Sequence, residues 1–284
     1  MQDFTQNNSL IIADAHVHIY DCFNLEIFLD SALQNFQQVA AKLSSSPDFQ
    51  AVLFLTEAST CNYFKHLGEL ANNNQPQNKL TNWTLHHTQE NLSLYAFNNL
   101  GQGIFIIAGR QVITQEKMEV LALITDKFFE DGLSLEPTIQ SVISAGGIPV
   151  MPWGVGKWIG RRGKLLSKLL EKNNFSTLFL GDNSGRPIFW LQPIYFQQAT
   201  KQGLRILPGT DPLPLASEAS RPGSFGFTIQ GSLSREEPGK QLKQMLLDST
   251  VSINNYGSLE TPWRFVSNQL GIRYGNGNNQ ARTN

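Results

Sequence analysis

Cysteine is nearly absent from this chain: Cys22 and Cys61 are the two thiols in 284 residues. Two cysteines make no disulfide framework, and they fit a reducing, cytoplasmic setting. Long hydrophobic runs are missing too, and the longest apolar stretches are far too short to span a bilayer. The start Met1-Gln2-Asp3-Phe4-Thr5 lacks a basic segment followed by an apolar one, which argues against a signal peptide. Neither sign of charge dominates, with 22 Lys and Arg against 23 Asp and Glu and a net charge of -1. No general affinity for polyanions is expected, so neither a nucleic acid nor a membrane is expected as a partner. Asn and Gln carry much of the surface polarity. Histidine is scarce, at five residues.

Two of those five fall in Asp14-Ala15-His16-Val17-His18, directly after the apolar run Leu10-Ile11-Ile12-Ala13. A run of that length without alternation reads as a strand covered on both faces. Side chains alternate along a strand, so Asp14, His16 and His18 are expected on one side. Two imidazoles on one face are an efficient start to a metal site.

The chain then reads as βα units: a helix over Asn24–Leu43 stopped at Ser44–Pro47, a strand over Ala51–Leu55, and a helix over Cys61–Leu70 closed by Asn72–Pro76. Between Asn82 and Thr114 the pattern changes to strand-like pieces without helices, which predicts antiparallel hairpins. Glu119–Thr125 is a further predicted strand. The βα rhythm returns with a helix over Pro137–Ala145, a strand over Ile148–Met151 and a helix over Lys164–Lys172. Thr177–Leu180, a helix near Gln192–Gln202, and a last strand at Leu204–Leu207 follow. Helices near Gly239–Leu247 and Pro262–Leu270 close the chain. This is an α/β pattern, a parallel sheet or barrel. With no repeat or linker, one domain is expected over residues 1–275, followed by a disordered polar tail over 276–284.

In α/β barrels the active residues sit at the carboxyl ends of strands. Those ends offer His16 and His18, then Glu57, then Arg110 and Gln111, then Trp153, then Asp182 and Asn183, and finally Asp211. His16, His18 and Asp211 would make a two-histidine, one-carboxylate set suited to zinc, manganese or iron. Glu57 would be a fourth ligand or the base that activates water. Asp211 lies in Gly209-Thr210-Asp211-Pro212, which is also good turn chemistry. His86 and His87 are adjacent on a strand and so face opposite sides.

These residues resemble those of the polymerase-and-histidinol-phosphatase (PHP) family of metal-dependent phosphoesterases. The resemblance runs from about Ile11 to Gly226. Asp14-Ala15-His16-Val17-His18 matches the family's opening D-x-H-x-H, and Leu55-Thr56-Glu57-Ala58 stands where the family has T-D-H. Gly109-Arg110-Gln111-Val112 resembles its G-x-E-[IV] segment, Glu119-Val120-Leu121-Ala122-Leu123 its E-V-H-L-L, and Gly209-Thr210-Asp211 its G-S-D-x-H. The resemblance implies a distorted, TIM-like barrel of seven β/α strands with extra antiparallel hairpin strands. It also implies a site of two or three metals, but Ala58, Gln111, Leu121, Trp153 and Leu213 stand where ligands would be. One ion, or none, is expected.

The segment Gly154–Lys164 carries four glycines and the four cations Lys157, Arg161, Arg162 and Lys164 in eleven residues. After a strand and before a helix, it reads either as an anion grip or as a solvated basic loop. Asp182 and Arg186, in Gly181–Pro187, are candidates to touch substrate, as is Arg221. The expected function is metal-dependent hydrolysis of a small anionic phosphoester or amide. The alternative is a non-catalytic relative that binds an anionic metabolite or a protein partner.

Overall fold

The computed structural model describes residues 9–43, 48–72, 80–172 and 174–279, with side chains to residue 273. The predicted breakers at 44–47 and 73–76 and the start at 1–5 lie outside these residues. Along the chain come β1 (Leu10–Val17), α1 (Leu25–Leu43), β2 (Phe49–Leu55), α2 (Tyr63–Asn72), β3 (Trp83–His87), β4 (Ser93–Asn98), β5 (Gly103–Ile107), β6 (Gly109–Ile113) and β7 (Glu119–Leu123). Then follow α3 (Leu135–Ser144), β8 (Ile148–Pro152), α4 (Gly160–Lys172), β9 (Phe179–Asn183), α5 (Ile194–Lys201), β10 (Ile206–Gly209) and a 3-10 turn at Ala216–Ser220. β11 (Gly226–Gln230), α6 (Pro238–Leu247), β12 (Asn254–Tyr256) and α7 (Pro262–Asn279) complete it.

The strands form two sheets, ordered β12-β11-β1-β2-β5-β4-β3 and β10-β9-β8-β7-β6. Alternation along the strands builds three cores. Leu10 and Ile12 of β1 face Phe28, Leu29 and Phe36 of α1. Their neighbours Ile11, Ala13 and Ala15 face the second sheet, where Leu121, Val150, Phe179 and Leu207 meet them. On that sheet's far side Val120, Ala122, Met151 and Leu180 pack with Ile139 of α3, Leu166 of α4 and Phe196 of α5. The uninterrupted apolar run of β1 is thus explained by a covering on both faces.

The closed seven-stranded barrel is not formed. β1 is already paired on both sides within its own sheet, parallel to β2 and antiparallel to β11, so it has no full edge for β10. The second sheet is mixed, because β7 runs antiparallel to both β6 and β8. Among the described residues no ladder closes.

The sheets nevertheless touch where β1 ends. The β11 ladder stops at Ala13. Beyond it the chain after β10 takes over, with Asp211 N–H donating to His16 O at 2.7 Å. On the other flank an isolated parallel bridge joins Glu57 to Arg110. Gly109 permits that crossing, since a Cβ there would lie 2.4 Å from Leu55 O.

Three strands were not foreseen, β6, β11 and β12, and α4 begins four residues before its predicted start at Lys164. The expected disordered tail is helical through Asn279, and 280–284 lie outside the described residues. No described helix is long and apolar enough to cross a membrane.

Candidate metal centre

The carboxyl end of β1 and the turn after β10 meet under tight steric control. A Cβ on Gly209 would lie 2.3 Å from the His16 backbone nitrogen, so only glycine lets the strands approach this closely. The next residue ties the pair together. Thr210 donates to Asp14 through its N–H at 2.9 Å and its hydroxyl at 2.6 Å, and Gly223 N–H adds a bond at 2.9 Å. Asp14 therefore acts as a buried anchor. Burial pushes its carboxyl up to about 6, against the lowering effect of those donors. Asp211 then adopts a left-handed backbone, φ 47°, which Asp tolerates better than most residues.

This geometry brings His16, His18 and Asp211 together. The two Nε2 atoms are 3.1 Å apart, and Asp211 Oδ1 lies 3.4 Å from each. Ligands ~2.0–2.1 Å from a tetrahedral ion stand about 3.3 Å from one another, so the triangle has the dimensions of one face of such a site. Asn183 Nδ2 donates to Asp211 Oδ2 at 2.6 Å and to Trp153 O at 3.3 Å, which turns Oδ1 toward the imidazoles. Gln111 Oε1 lies 3.3 Å from His16 Nε2.

Protonation favours the same use. Burial lowers His16 to about 4, although Asp211 pulls it upward, so the imidazole is neutral at neutral pH. Burial alone would raise Asp211, but His16 and His18 outweigh it and hold the carboxyl at about 2. A neutral imidazole and an ionised carboxylate are the forms that bind a cation.

A cavity of about 440 Å³ opens over His18 and Asp211. Tyr20, Gln111, Trp153 and Lys157 wall it, and Phe265, Asn268, Gln269 and Ile272 of α7 roof it. Lys157 pairs with Glu119 at the rim. Arg221 and Glu260 line both this cavity and a larger one of about 580 Å³ that does not reach the histidines.

Other sequence candidates are placed elsewhere. Glu57 is buried, but its carboxylate accepts from Phe64 N–H at 3.0 Å and pairs with Arg110 at 3.4 Å. It is not among the converging ligand atoms. Burial raises its pKa, partly offset by Phe64 and Arg110. Arg110 also donates to Cys61 O, away from the cavity. Arg161 and Arg162 belong to α4, and Arg162 is spent on the carbonyls of Gly156 and Lys117. Asp182 and Arg186 clamp each other with bonds of 2.9 and 2.7 Å. Of the basic segment's four cations, Lys157 alone lines the cavity. His87 bonds Gly68 O and His86 packs on Phe97.

Two residues gained weight only in three dimensions. Asn183 lies just past the predicted strand Thr177–Leu180 and so was in view, but its bond to Asp211 needs β9 and β10 side by side. Glu119 opens β7 with no local signal that it would hold Lys157.

The class defined by this fold is best seen among solved structures, since no family model and no curated protein sequence matches the chain. PsfC from Pseudomonas syringae PB-5123 matches with a TM-score of 0.54 and 14% identity, over 94% of this chain and 99% of that one. Endonuclease Q, in complex with a 27-mer duplex substrate with an abasic lesion at the active site, matches with a TM-score of 0.51 and 10% identity. That match covers 91% of this chain and 66% of the Endonuclease Q chain. At these identities the likeness is one of fold. It also corrects the expectation of no nucleic-acid partner. Endonuclease Q, a protein of similar fold, is bound to a 27-mer duplex, so this fold is no bar to such a ligand.

Proposed function

We propose that this chain is a metal-dependent hydrolase of an anionic phosphoester or amide, with one divalent ion held by His16, His18 and Asp211. The observation that carries this reading is the triangle of donor atoms at 3.1, 3.4 and 3.4 Å beneath an open cavity. Two imidazoles and a carboxylate suit zinc, manganese or iron. Such an ion would polarise the scissile bond and lower the pKa of a bound water to about 7.

The chain's own groups do the rest. Asn183 fixes the rotamer of Asp211, and Gln111 stands over His16 as a neutral hydrogen-bond partner. Lys157 presents a cation at the rim, where a substrate's anionic oxygen would replace Glu119 as its partner. α7 walls one side of the cavity over the triangle and so narrows the approach to it. An endonuclease of the same fold makes a phosphodiester one candidate within the substrate class. The commitment of Glu57 to Phe64 and Arg110 favours a second reading, in which the cavity binds an anion without cleaving it.

Elemental analysis of protein purified without chelator tests the proposal. One ion per chain is expected in the wild type and none in His16→Ala. A metal-free wild type that also takes up no added zinc, manganese or iron would sink it. Loaded protein that turns over no phosphoester or amide would favour the second reading.

A further inference from the structure

Among its described side chains, α7 packs on the protein through one face. Phe265, Asn268, Gln269 and Ile272 look into the cavity. Trp263, Val266 and Leu270 are exposed, and their spacing places them in one stripe. A second exposed group lies beside it, in the stretch between β9 and α5: Ile188, Phe189, Leu191 and, at the first turn of α5, Ile194. The two segments are joined. Pro187 bridges to Glu260, Ile188 N–H donates to Glu260 O at 2.9 Å, and the rings of Phe189 and Phe265 stand 6.1 Å apart, edge to face.

The patch is large. Leu191 is 87% exposed and Trp263 82%. Scaled by exposure, Trp263 and Phe189 alone leave on the order of 200–350 Å² of apolar surface open, at ~150–250 Å² for an aromatic side chain, and the five exposed aliphatic side chains add to it. A monomer's largest patch is usually about 300–600 Å², and a standard interface takes ~800 Å² from each partner.

The patch is also nearly free of charge. Residues 188–194 have none, and in α7 Arg264 is engaged by Glu218, leaving Arg273 as the other charged residue. A surface of this kind can meet itself without like-charge repulsion. It lacks the basic face that an amphipathic helix uses on anionic lipid.

We infer that two copies of this chain associate through the face formed by α7 and residues 188–194. The same surface on both partners gives a closed twofold pair. Because the other side of α7 roofs the candidate metal cavity, the contact holds that roof in place.

Sedimentation of the full chain over a range of concentrations tests this, beside Leu191→Glu and the double variant Leu191→Glu, Trp263→Glu. The wild type is expected at the mass of two chains at micromolar concentration. Each variant is expected to associate at least about tenfold more weakly, with an unchanged circular-dichroism spectrum. A wild type that stays at single-chain mass into the high micromolar range overturns the inference. So do variants that dimerise as tightly as the wild type. A single-chain wild type that floats with phosphatidylcholine vesicles also overturns it, and assigns the patch to lipid.

Discussion

Asp211 is held by its backbone on one side and its second carboxylate oxygen on the other. Asp211 N–H bonds His16 O, and Oδ2 accepts from Asn183. Replacing Asn183 with Ala removes the second hold and leaves the ligand atoms in place. Metal affinity is then expected to fall about 10–100-fold, read by competition with a chromogenic chelator, beside a loss of stability of about 1–3 kcal/mol as the bonds to Trp153 O and Gly185 N–H are lost. His16 supplies a pH dependence. Its pKa in the fold, about 4, lies below the ordinary 6.5. Its contribution to stability is therefore complete above pH 6.5 and is lost as pH falls through 4. In chelator-treated protein, His16→Gln should flatten the fall in urea midpoint across that window. The three ligand candidates were legible because strand alternation pairs His16 with His18, and Gly-Thr-Asp marks a strand-end turn. The role of Asp14 was not legible, because its partners Thr210 and Gly223 lie far along the chain. The cations Arg161 and Arg162 misled because Gly160 and Gly163 read as loop residues. Gly163 is instead the contact that lets α4 pass Trp158, since a Cβ there would sit 2.6 Å from Trp158 O.

Among the described α-helices, α7 is the one that lines the cavity, and the buried Glu218 is its main tie. Glu218 accepts from Arg264 at 3.1 Å and Asn268 at 3.4 Å on α7, and from Arg221 at 3.3 Å on its own turn. Arg264 is half exposed, so water screens most of its share. The buried Arg221 is the larger matter, and it keeps Glu260 as a partner. Glu218→Ala is therefore expected to cost about 3 kcal/mol, the lower end for breaking a buried pair. Urea unfolding would measure it, and limited proteolysis should cut α7 sooner than in the wild type. The sequence showed α7 to Leu270 but not its continuation, because Gly271, Gly275 and Gly277 are poor helix formers. β11 was missed for a related reason. Gly-Phe-Thr-Ile-Gln is a short strand between Ser- and Gly-rich stretches, and its partner β1 is distant in sequence.

For the molecule as a whole, the α/β composition was readable from periodicity, whereas the way the strands close was not. Pairing order depends on which edges stay free. β1 is flanked by both β2 and β11, and β7 reverses direction between β6 and β8. Neither fact has a local signature. The resemblance singled out residues that the structure brings together at the ends of β1 and β10, while it overstated closure, because those ends meet through a turn and not a ladder.

The bond between Asp14 and Thr210 spans 196 positions of sequence. Closing so long a loop is slow and costly until both sheets exist. The three donor atoms therefore cannot assemble early, since Asp211 joins the two histidines only when the turn after β10 reaches the end of β1. An ion bound as proposed would be a mark of arrival, held only by chains whose two sheets have already found each other.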